Sequence, residues 1–359
     1  MSKPIQFVYI ATILILAMAV SQANSSLITQ VQTSRQILST FSAKGSKELF
    51  KVFHFIFNKS YDYNTEAGIE KYKTFRTNVQ RINEHNALKL SWNKGINHLT
   101  DMTDEEVKKH YNLYTISPKF FAANLRSLKG VSLDDYNDEE ENIAPVNVGV
   151  RSDVDHRPFM RPVTDQLNCG SCWAFATVAS IEGNFSKSKT LLTEDLSEQQ
   201  LVDCDDRNGG CQGGWYSWSM KFYFNNAPVT AANYRYRAIQ GVCQQAGKPR
   251  RTDIMVTSYK YSFRADLQFD SLLLGTVAVA VDANNNYYAY ESGVFDGPCT
   301  QQVNHAMVLV GFSTTSNAWI LRNSWGADWG EEGYMRIKEN FDNANSCMIA
   351  RYGFRPILS

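Results

Sequence analysis

The hydrophobic pattern changes character near residue 145. Before it, apolar positions recur at helical spacing; after it, one long buried run gives way to short apolar strands. Leu49, Phe50, Val52, Phe53, Ile56 and Phe57 crowd a single stretch, and the segment from about 46 to 86 reads as two helices with a turn near Tyr61–Asn64. In the second, Phe75, Asn78, Ile82 and Asn86 step by three, four and four, which places them on one helical face. The plain expectation is an amphipathic face with its asparagines exposed. Gly95–Asp101 alternates apolar and polar residues and predicts a short extended segment. Asp101 or Thr103 can cap the helix that follows, with Glu105 and Glu106 favourable in its first turn.

Val146–Val148 reads as extended. Cys172 to Gly183 has helical length and little polar interruption, so it predicts a buried helix. Leu196–Val202 fits another helix, with Ser197 as its cap. After Gly275 the apolar runs are short: Val277–Val281, His305–Val310, Trp319–Asn323 and Gly333–Ile337 read as strands. Helices first and strands afterwards indicate an α+β arrangement of two halves, and a cleft between them is a natural ligand site. No internal repeat is visible.

Composition adds an address and a partition. Lys3 precedes an almost unbroken apolar run from Phe7 to Val20, followed by Ser21-Gln22-Ala23. This is the pattern of a cleaved secretory signal, and the run is short for a bilayer span of about 20 residues. Asp134–Asn142 is an acidic run with few apolar residues, expected to be exposed linker, and a processing boundary belongs in or just after it. Net charge is zero, so no strong field favours nucleic acid or an anionic membrane. Asn24, Asn58 and Asn184 open glycosylation acceptor triplets. All seven cysteines lie between Cys169 and Cys347; in an oxidising compartment an odd count leaves one free thiol.

Gln166–Phe175 concentrates the candidate chemistry. Cys172 opens the apolar helix, and a helix N-terminus lowers a thiol pKa, as does a neighbouring imidazolium. Of six histidines, His54, His85, His98 and His110 precede the boundary and His156 follows it closely. His305 remains, flanked by strand residues. A catalytic imidazole needs an orienting partner, and Asn323 stands at a strand end where Trp325 and Trp329 can shield such a bond. Acyl transfer also needs donors for an oxyanion; the Gln166 side chain and the Cys172 backbone N–H are candidates. The competing readings are a buried structural cysteine or a zinc pair of Cys169 with Cys172, although no second Cys-x-x-Cys or paired histidines accompany the latter.

Cys-Gly-Ser-Cys-Trp at 169–173, with His305 and Asn323 lying 133 and 151 residues beyond Cys172, resembles the local signature and spacing of papain-family cysteine peptidases, within them the cathepsin L-like group. Leu201–Cys204, Gly210–Gly214, Val303–Ala306 and Asn323–Gly326 extend the resemblance on one side of the boundary. The Phe75/Asn78/Ile82/Asn86 pattern and Gly95-x-Asn97-x-Leu99-x-Asp101 extend it on the other. It covers nearly everything from about Glu48 onward.

The resemblance implies a papain-like two-lobed fold, with a helical lobe and a β-barrel-like lobe, preceded by a small helical prodomain. It divides the chain into a signal peptide (1–23), a propeptide (24–145, helical over about 46–116, linker 117–145) and a peptidase domain (146–359). It implies a cysteine endopeptidase made as an inactive zymogen, with no cofactor, acting through a thiolate–imidazolium pair and a thioester. Cys172 would be nucleophile, His305 its partner, Asn323 the orienting residue and Gln166 an oxyanion donor. Gly213 and Gly214 would edge the cleft, while Trp215, Tyr216, Ala280, Val303, Ala306 and Tyr352 would line the main pocket; Trp325 would also bind substrate. The implied disulfides are Cys169–Cys211, Cys204–Cys243 and Cys299–Cys347. Partners would be protein or peptide substrates, the chain's own prodomain and inhibitors of the cystatin type, with no nucleic acid and no membrane span in a monomeric mature form, located in a lysosome-like vacuole or outside the cell. Acid would neutralise prodomain carboxylates such as Asp101 and loosen its hold. Ala67 and Lys71 replace the usual Glu and Arg, Leu99 the usual Phe, and His156 the usual Trp. The alternative is a catalytically silent relative used for binding or storage.

Overall fold

The computed structural model describes residues 47–113, 151–300, 302–339 and 347–359. The apolar N-terminal run, Asn24, the acidic run at 134–142 and Val146–Val148 lie outside these ranges.

The first unit opens with helix α1 (Lys47–Ile56) and helix α2 (Glu66–Ala87). Leu49, Phe50, Val52 and Phe53 of α1 pack against Phe75, Val79 and Ile82 of α2 and against Ile96, forming a small aromatic-rich core. The asparagines of the α2 face are not exposed, contrary to the amphipathic expectation. Asn78 Nδ2 donates to the carbonyls of Thr100 and Met102 at 2.9 and 2.8 Å. Asn86 donates to Lys94 O and accepts from Lys94 N at 2.8 and 2.9 Å. Asn78 satisfies carbonyls of the turn after β1, and Asn86 satisfies the N–H and C=O of Lys94 at the end of β1.

That segment is also less extended than its alternation suggests. Strand β1 spans only Trp92–Lys94, and Asn97–Asp101 is a turn in which Asn97 Oδ1 accepts the Leu99 N–H. Asp101 closes the turn onto Lys59 Nζ at 2.9 Å and Tyr61 OH at 2.7 Å. Thr103 and Glu106 form a reciprocal capping box on helix α3 (Asp104–His110).

The second unit begins with a short strand β2 (Val154–Asp155). His156, in place of the usual Trp, is buried and bonds the Leu272 carbonyl through Nε2 at 2.7 Å. Helix α4 (Cys172–Ser188) is buried along nearly its whole length. Helix α5 (Glu198–Cys204) has Ser197 as its cap, the hydroxyl accepting from Gln200 N. Helix α6 (Tyr216–Phe222) packs against α4. Strand β3 (Val256–Ser262), helix α7 (Ala265–Leu274), strand β4 (Val277–Val281), helix α8 (Asn285–Tyr288), and strands β5 (Tyr290–Phe295), β6 (His305–Ser313), β7 (Ala318–Arg322), β8 (Tyr334–Lys338) and β9 (Gly353–Leu358) complete the described elements.

The strands form one mixed sheet in the order β1-β5-β8-β7-β6-β4-β9-β3, with β2 beside β6. The sheet is open, its strands not closing into a complete barrel. β5 pairs in parallel with β8, and its other edge is taken by β1 of the first unit, Trp92 facing Gly293. A strand of the N-terminal unit thus caps one end of the sheet. Trp92 packs on Phe295 at 4.8 Å between ring centroids.

Three disulfides join Cys169 to Cys211, Cys204 to Cys243 and Cys299 to Cys347, leaving the Cys172 thiol free. Asn184 is excluded as a glycosylation site. It lies inside α4 at 6% exposure, its Nδ2 donating to Ser180 O and to both oxygens of Thr276. Asn58 is exposed, at the end of the first helix. Among the described residues no helix is long and apolar enough to cross a membrane.

Candidate active site

Cys172 is the first residue of α4, and its neighbours explain why it can sit there. Ser171 occupies the N-cap, yet its hydroxyl caps nothing in the helix. The Cys169–Cys211 bridge fixes the preceding loop, and Gly170 N donates to Cys211 O at 2.9 Å. A Cβ at Gly170 would come within 2.7 Å of that same carbonyl, so only glycine fits. Because the Cys169 sulfur is bonded to Cys211, it is not a thiolate ligand, and the zinc reading falls.

His305 starts β6 and Asn323 follows β7, two antiparallel neighbours that bring the pair together. His305 Nε2 and Asn323 Oδ1 are 2.7 Å apart. Asn323 Oδ1 also accepts the backbone N–H of Ser324 at 2.8 Å. That second bond fixes the amide's orientation: the atom facing His305 is an acceptor, so Nε2 carries the ring proton. Nδ1 is then the bare nitrogen, buried and without a hydrogen-bond partner among the described residues. Trp325 lies over the imidazole, 4.9 Å between centroids, and Trp329 packs edge-on against Trp325, both fully buried. The shield inferred from sequence is present.

Gln166 is fully buried. Its N–H donates to Ser324 O at 2.9 Å, its Oε1 accepts from Ser324 Oγ at 2.6 Å, and its Nε2 donates to Cys169 O at 3.0 Å. The carbonyl of Cys169 can only accept, so the amide's NH2 end faces the Cys169–Cys172 loop. Ser324 therefore holds both Gln166 and Asn323, a role with no signal in the sequence beyond adjacency to Asn323.

Burial governs the titration of the pair. It pushes the Cys172 thiol up to about 11 despite backbone hydrogen bonds. It pulls the His305 imidazole down to about 4, against the opposing bond to Asn323. In this closed form both groups are neutral near neutral pH.

The cleft edge is occupied by the end of the first unit. Tyr111 stacks on Trp325, 4.8 Å apart and 7° from parallel. Asn112 Nδ2 donates to Gln212 O at 2.7 Å, beside Gly213, whose φ of +115° suits glycine. A Cβ on Gly214 would strike Asn208 and the Trp173 ring. Trp215, Tyr216, Ala280, Val303 and Ala306 fall in one apolar cluster, with Tyr352 packed against it. The Tyr352 ring meets Trp215 edge-on at 5.9 Å, and Tyr216 OH donates to the Tyr352 carbonyl.

A free thiol on a helix N-terminus, an asparagine-oriented imidazole and a separate helical unit reaching across the cleft define a thiol peptidase in precursor form. Residues 145–357 match the model of the papain family cysteine proteases, and residues 50–107 match the cathepsin propeptide inhibitor domain. The chain belongs to the papain family and carries its inhibitory propeptide. It is 32% identical to chymopapain of Carica papaya over 99% of this chain and 98% of that protein. The recombinant stem bromelain precursor superposes with a TM-score of 0.73 at 29% identity, covering 87% of this chain and 99% of that one. A digestive procathepsin L 3 from the larval midgut of Tenebrio molitor gives 0.71 at 28%, with the same coverage. The protein is a cysteine endopeptidase made as a zymogen.

Proposed function

We propose that Cys172, His305, Asn323 and Gln166 carry peptide hydrolysis once the propeptide has gone. The observation that bears most weight is the Ser324 N–H on Asn323 Oδ1, because it leaves His305 Nδ1 bare to take the thiol proton. The Cys172 sulfur then adds to the scissile carbonyl carbon, and the oxyanion is met by Gln166 Nε2 and the Cys172 N–H. Collapse expels the amine, which takes its proton from His305, and leaves a thioester on Cys172. Water, deprotonated by His305, adds to the thioester; a second collapse breaks the C–S bond, frees the carboxylic acid and returns the sulfur, which regains its proton from His305.

Gly213 and Gly214 pair with the backbone of an extended substrate. Trp215, Tyr216, Ala280, Val303 and Ala306 form the wall of the main specificity pocket, with Tyr352 shortening it, and Trp325 lies on the leaving-group side. Residues 1–23 act as a signal peptide, 24–145 as propeptide and 146–359 as the mature monomer. Asn58 is the described glycosylation candidate that exposure supports, and it would be lost with the propeptide. Destination is a lysosome-like vacuole or the extracellular space, and inhibitors of the cystatin type would enter the same cleft.

The test is labelling of the processed protein with a peptidyl epoxide at mildly acidic pH. Stoichiometric modification of Cys172 with loss of peptide hydrolysis is expected. No modification of wild type would instead support a silent binding protein.

A further inference from the structure

Tyr236 lies 64 residues beyond Cys172, in a loop that contributes nothing to the triad. Its hydroxyl nevertheless touches both segments that would supply the oxyanion donors. It donates to Gln166 O at 2.6 Å and lies 2.7 Å from Ser171 Oγ. A phenol has one proton, and the Gln166 carbonyl can only accept, so Ser171 Oγ–H must donate to the Tyr236 oxygen. This explains the N-cap serine that caps nothing. A directed chain runs Ser171 → Tyr236 → Gln166, closing the 166–171 loop from outside.

The loop that carries Tyr236 is tied down on both sides. On one side Tyr234 OH donates to Asp203 Oδ2 at 2.8 Å; on the other Arg237 N donates to Gln199 Oε1 at 2.8 Å and Arg237 Nη2 to Asp203 at 2.9 Å. Asp203 and Gln199 belong to α5, and the Cys204–Cys243 bridge ties the same loop to the same helix. The Tyr236 ring meets Phe175 of α4 edge-on, 4.9 Å apart at 89°. The phenol is thus braced by α5 and set against the first turn of α4.

We propose that Tyr236 is a positioning residue for the oxyanion hole: it fixes the distance between the Gln166 backbone and the residue preceding Cys172, and so between the two donors. This rests on the assignment of those donors above. Its hydroxyl bonds to Ser171 and Gln166 and to neither the Cys172 thiol nor the His305–Asn323 pair, so the effect is expected on carbonyl addition first.

Tyr236→Phe in the processed enzyme keeps the ring and its packing while removing both bonds. The expected result is a fall in kcat of roughly tenfold with KM within about twofold, because the interaction is realised in the tetrahedral state. A peptidyl aldehyde, which forms a tetrahedral adduct bearing the oxyanion, should lose affinity by the same factor. Alkylation of Cys172 by iodoacetamide, a displacement that forms no oxyanion, should keep its wild-type rate and pH profile. Ser171→Ala, which leaves the Tyr236–Gln166 bond, should give a smaller loss of the same kind and serves if Tyr236→Phe folds poorly. Unchanged kcat and aldehyde affinity, or equal losses in aldehyde binding and iodoacetamide alkylation, overturns the proposal. Gln166→Ala distinguishes the underlying assignment: if it too leaves aldehyde binding intact, Gln166 is not an oxyanion donor at all.

Discussion

At the scale of single residues, the proposed chemistry rests on which nitrogen of His305 is bare. Asn323 Oδ1 is committed as an acceptor by the Ser324 N–H, so the imidazole has one tautomer available. Asn323→Ala frees the ring to rotate and to protonate Nδ1; kcat/KM for peptide substrates should fall by roughly tenfold or more, with the thermal midpoint of the processed enzyme little changed. The closed form carries its own titration signature. With the thiol raised to about 11 and the imidazole lowered to about 4, Cys172 of the intact precursor should alkylate slowly and only faster as pH climbs toward 11. All other cysteines are bridged, so iodoacetamide incorporation reads this thiol alone. After processing, the same rate should be high and nearly flat from about pH 5 to 8, where an opened thiolate–imidazolium pair exists.

Residue-level legibility was uneven for a physical reason. Cys172, His305 and Asn323 are readable because chemistry restricts the residue types and elimination leaves few candidates. Ser324 and Tyr236 act through backbone and hydroxyl contacts between segments distant in sequence, which leave no periodicity or motif. Asn184 shows the converse: its triplet is legible, but its burial inside α4 is not.

At the scale of elements, the propeptide is docked by a contact whose pH dependence opposes simple acid release. His98 Nδ1 lies 2.6 Å from Asp328 Oδ2, which also accepts the His98 N–H at 3.2 Å, while Nε2 lies 2.8 Å from Tyr111 OH. Burial alone would lower the His98 pKa, but Asp328 and, behind it, Asp165 outweigh burial and the repulsion of Lys59, leaving it above 6.5. Burial would raise Asp328, but His98 outweighs it and holds the carboxylate below 3.8. His110 nearby is driven down to about 4 by burial and by His98 and Lys59, so it stays neutral over most of this range. The docked histidine is raised, so its contribution is full below about 6.5 and fades as pH rises through the raised value. The carboxylate's contribution fades only as pH falls through its lowered one. Mild acid therefore tightens this contact. Asp101 is bound to Lys59 and Tyr61 within the propeptide and takes no part in this contact. His98→Gln should accordingly shorten the half-time of precursor self-processing at pH 5, with the advantage over wild type shrinking toward pH 8.

The elements legible in advance were α1, α2, α3 and α5 by helical spacing and cap residues, and α4, β4, β6, β7 and β8 by dense apolar runs. β3 and β9 carry mixed burial along their length, and α7 buries polar Gln268 and Ser271 beside its apolar residues, so neither alternation nor a stripe announces them. The 95–101 segment alternates like a strand but turns, because Asn97 bonds the Leu99 N–H and the Tyr288 carbonyl, and Asp101 bonds Lys59 and Tyr61, in place of a ladder.

At the scale of the whole molecule, the peptidase core suits acid. Burial raises Glu182 to about 8 and Glu198 to about 7, both near the buried Arg322, whose guanidinium also donates to the carbonyls of Arg161 and Pro162. A carboxyl raised in the folded state contributes stability that is full below its unfolded pKa of 4.5 and is lost as pH rises through the folded one. The inhibitor-blocked mature enzyme should therefore melt several degrees lower at pH 8 than at pH 5, and Glu182→Gln should flatten that slope.

The first unit holds the peptidase at one sheet edge through β1 and at the cleft edge through Tyr111 and Asn112, so its release should expose the cleft. The most direct measurement is the fate of the purified precursor on acidification, followed together by intact mass and by hydrolysis of a peptide substrate. Wild type should shorten to a form beginning near residue 146 as activity appears, while Cys172→Ser stays full-length and inert. Hydrolysis by the Cys172→Ser protein, or persistent inactivity of wild type trimmed to that form by an added protease, would contradict the account.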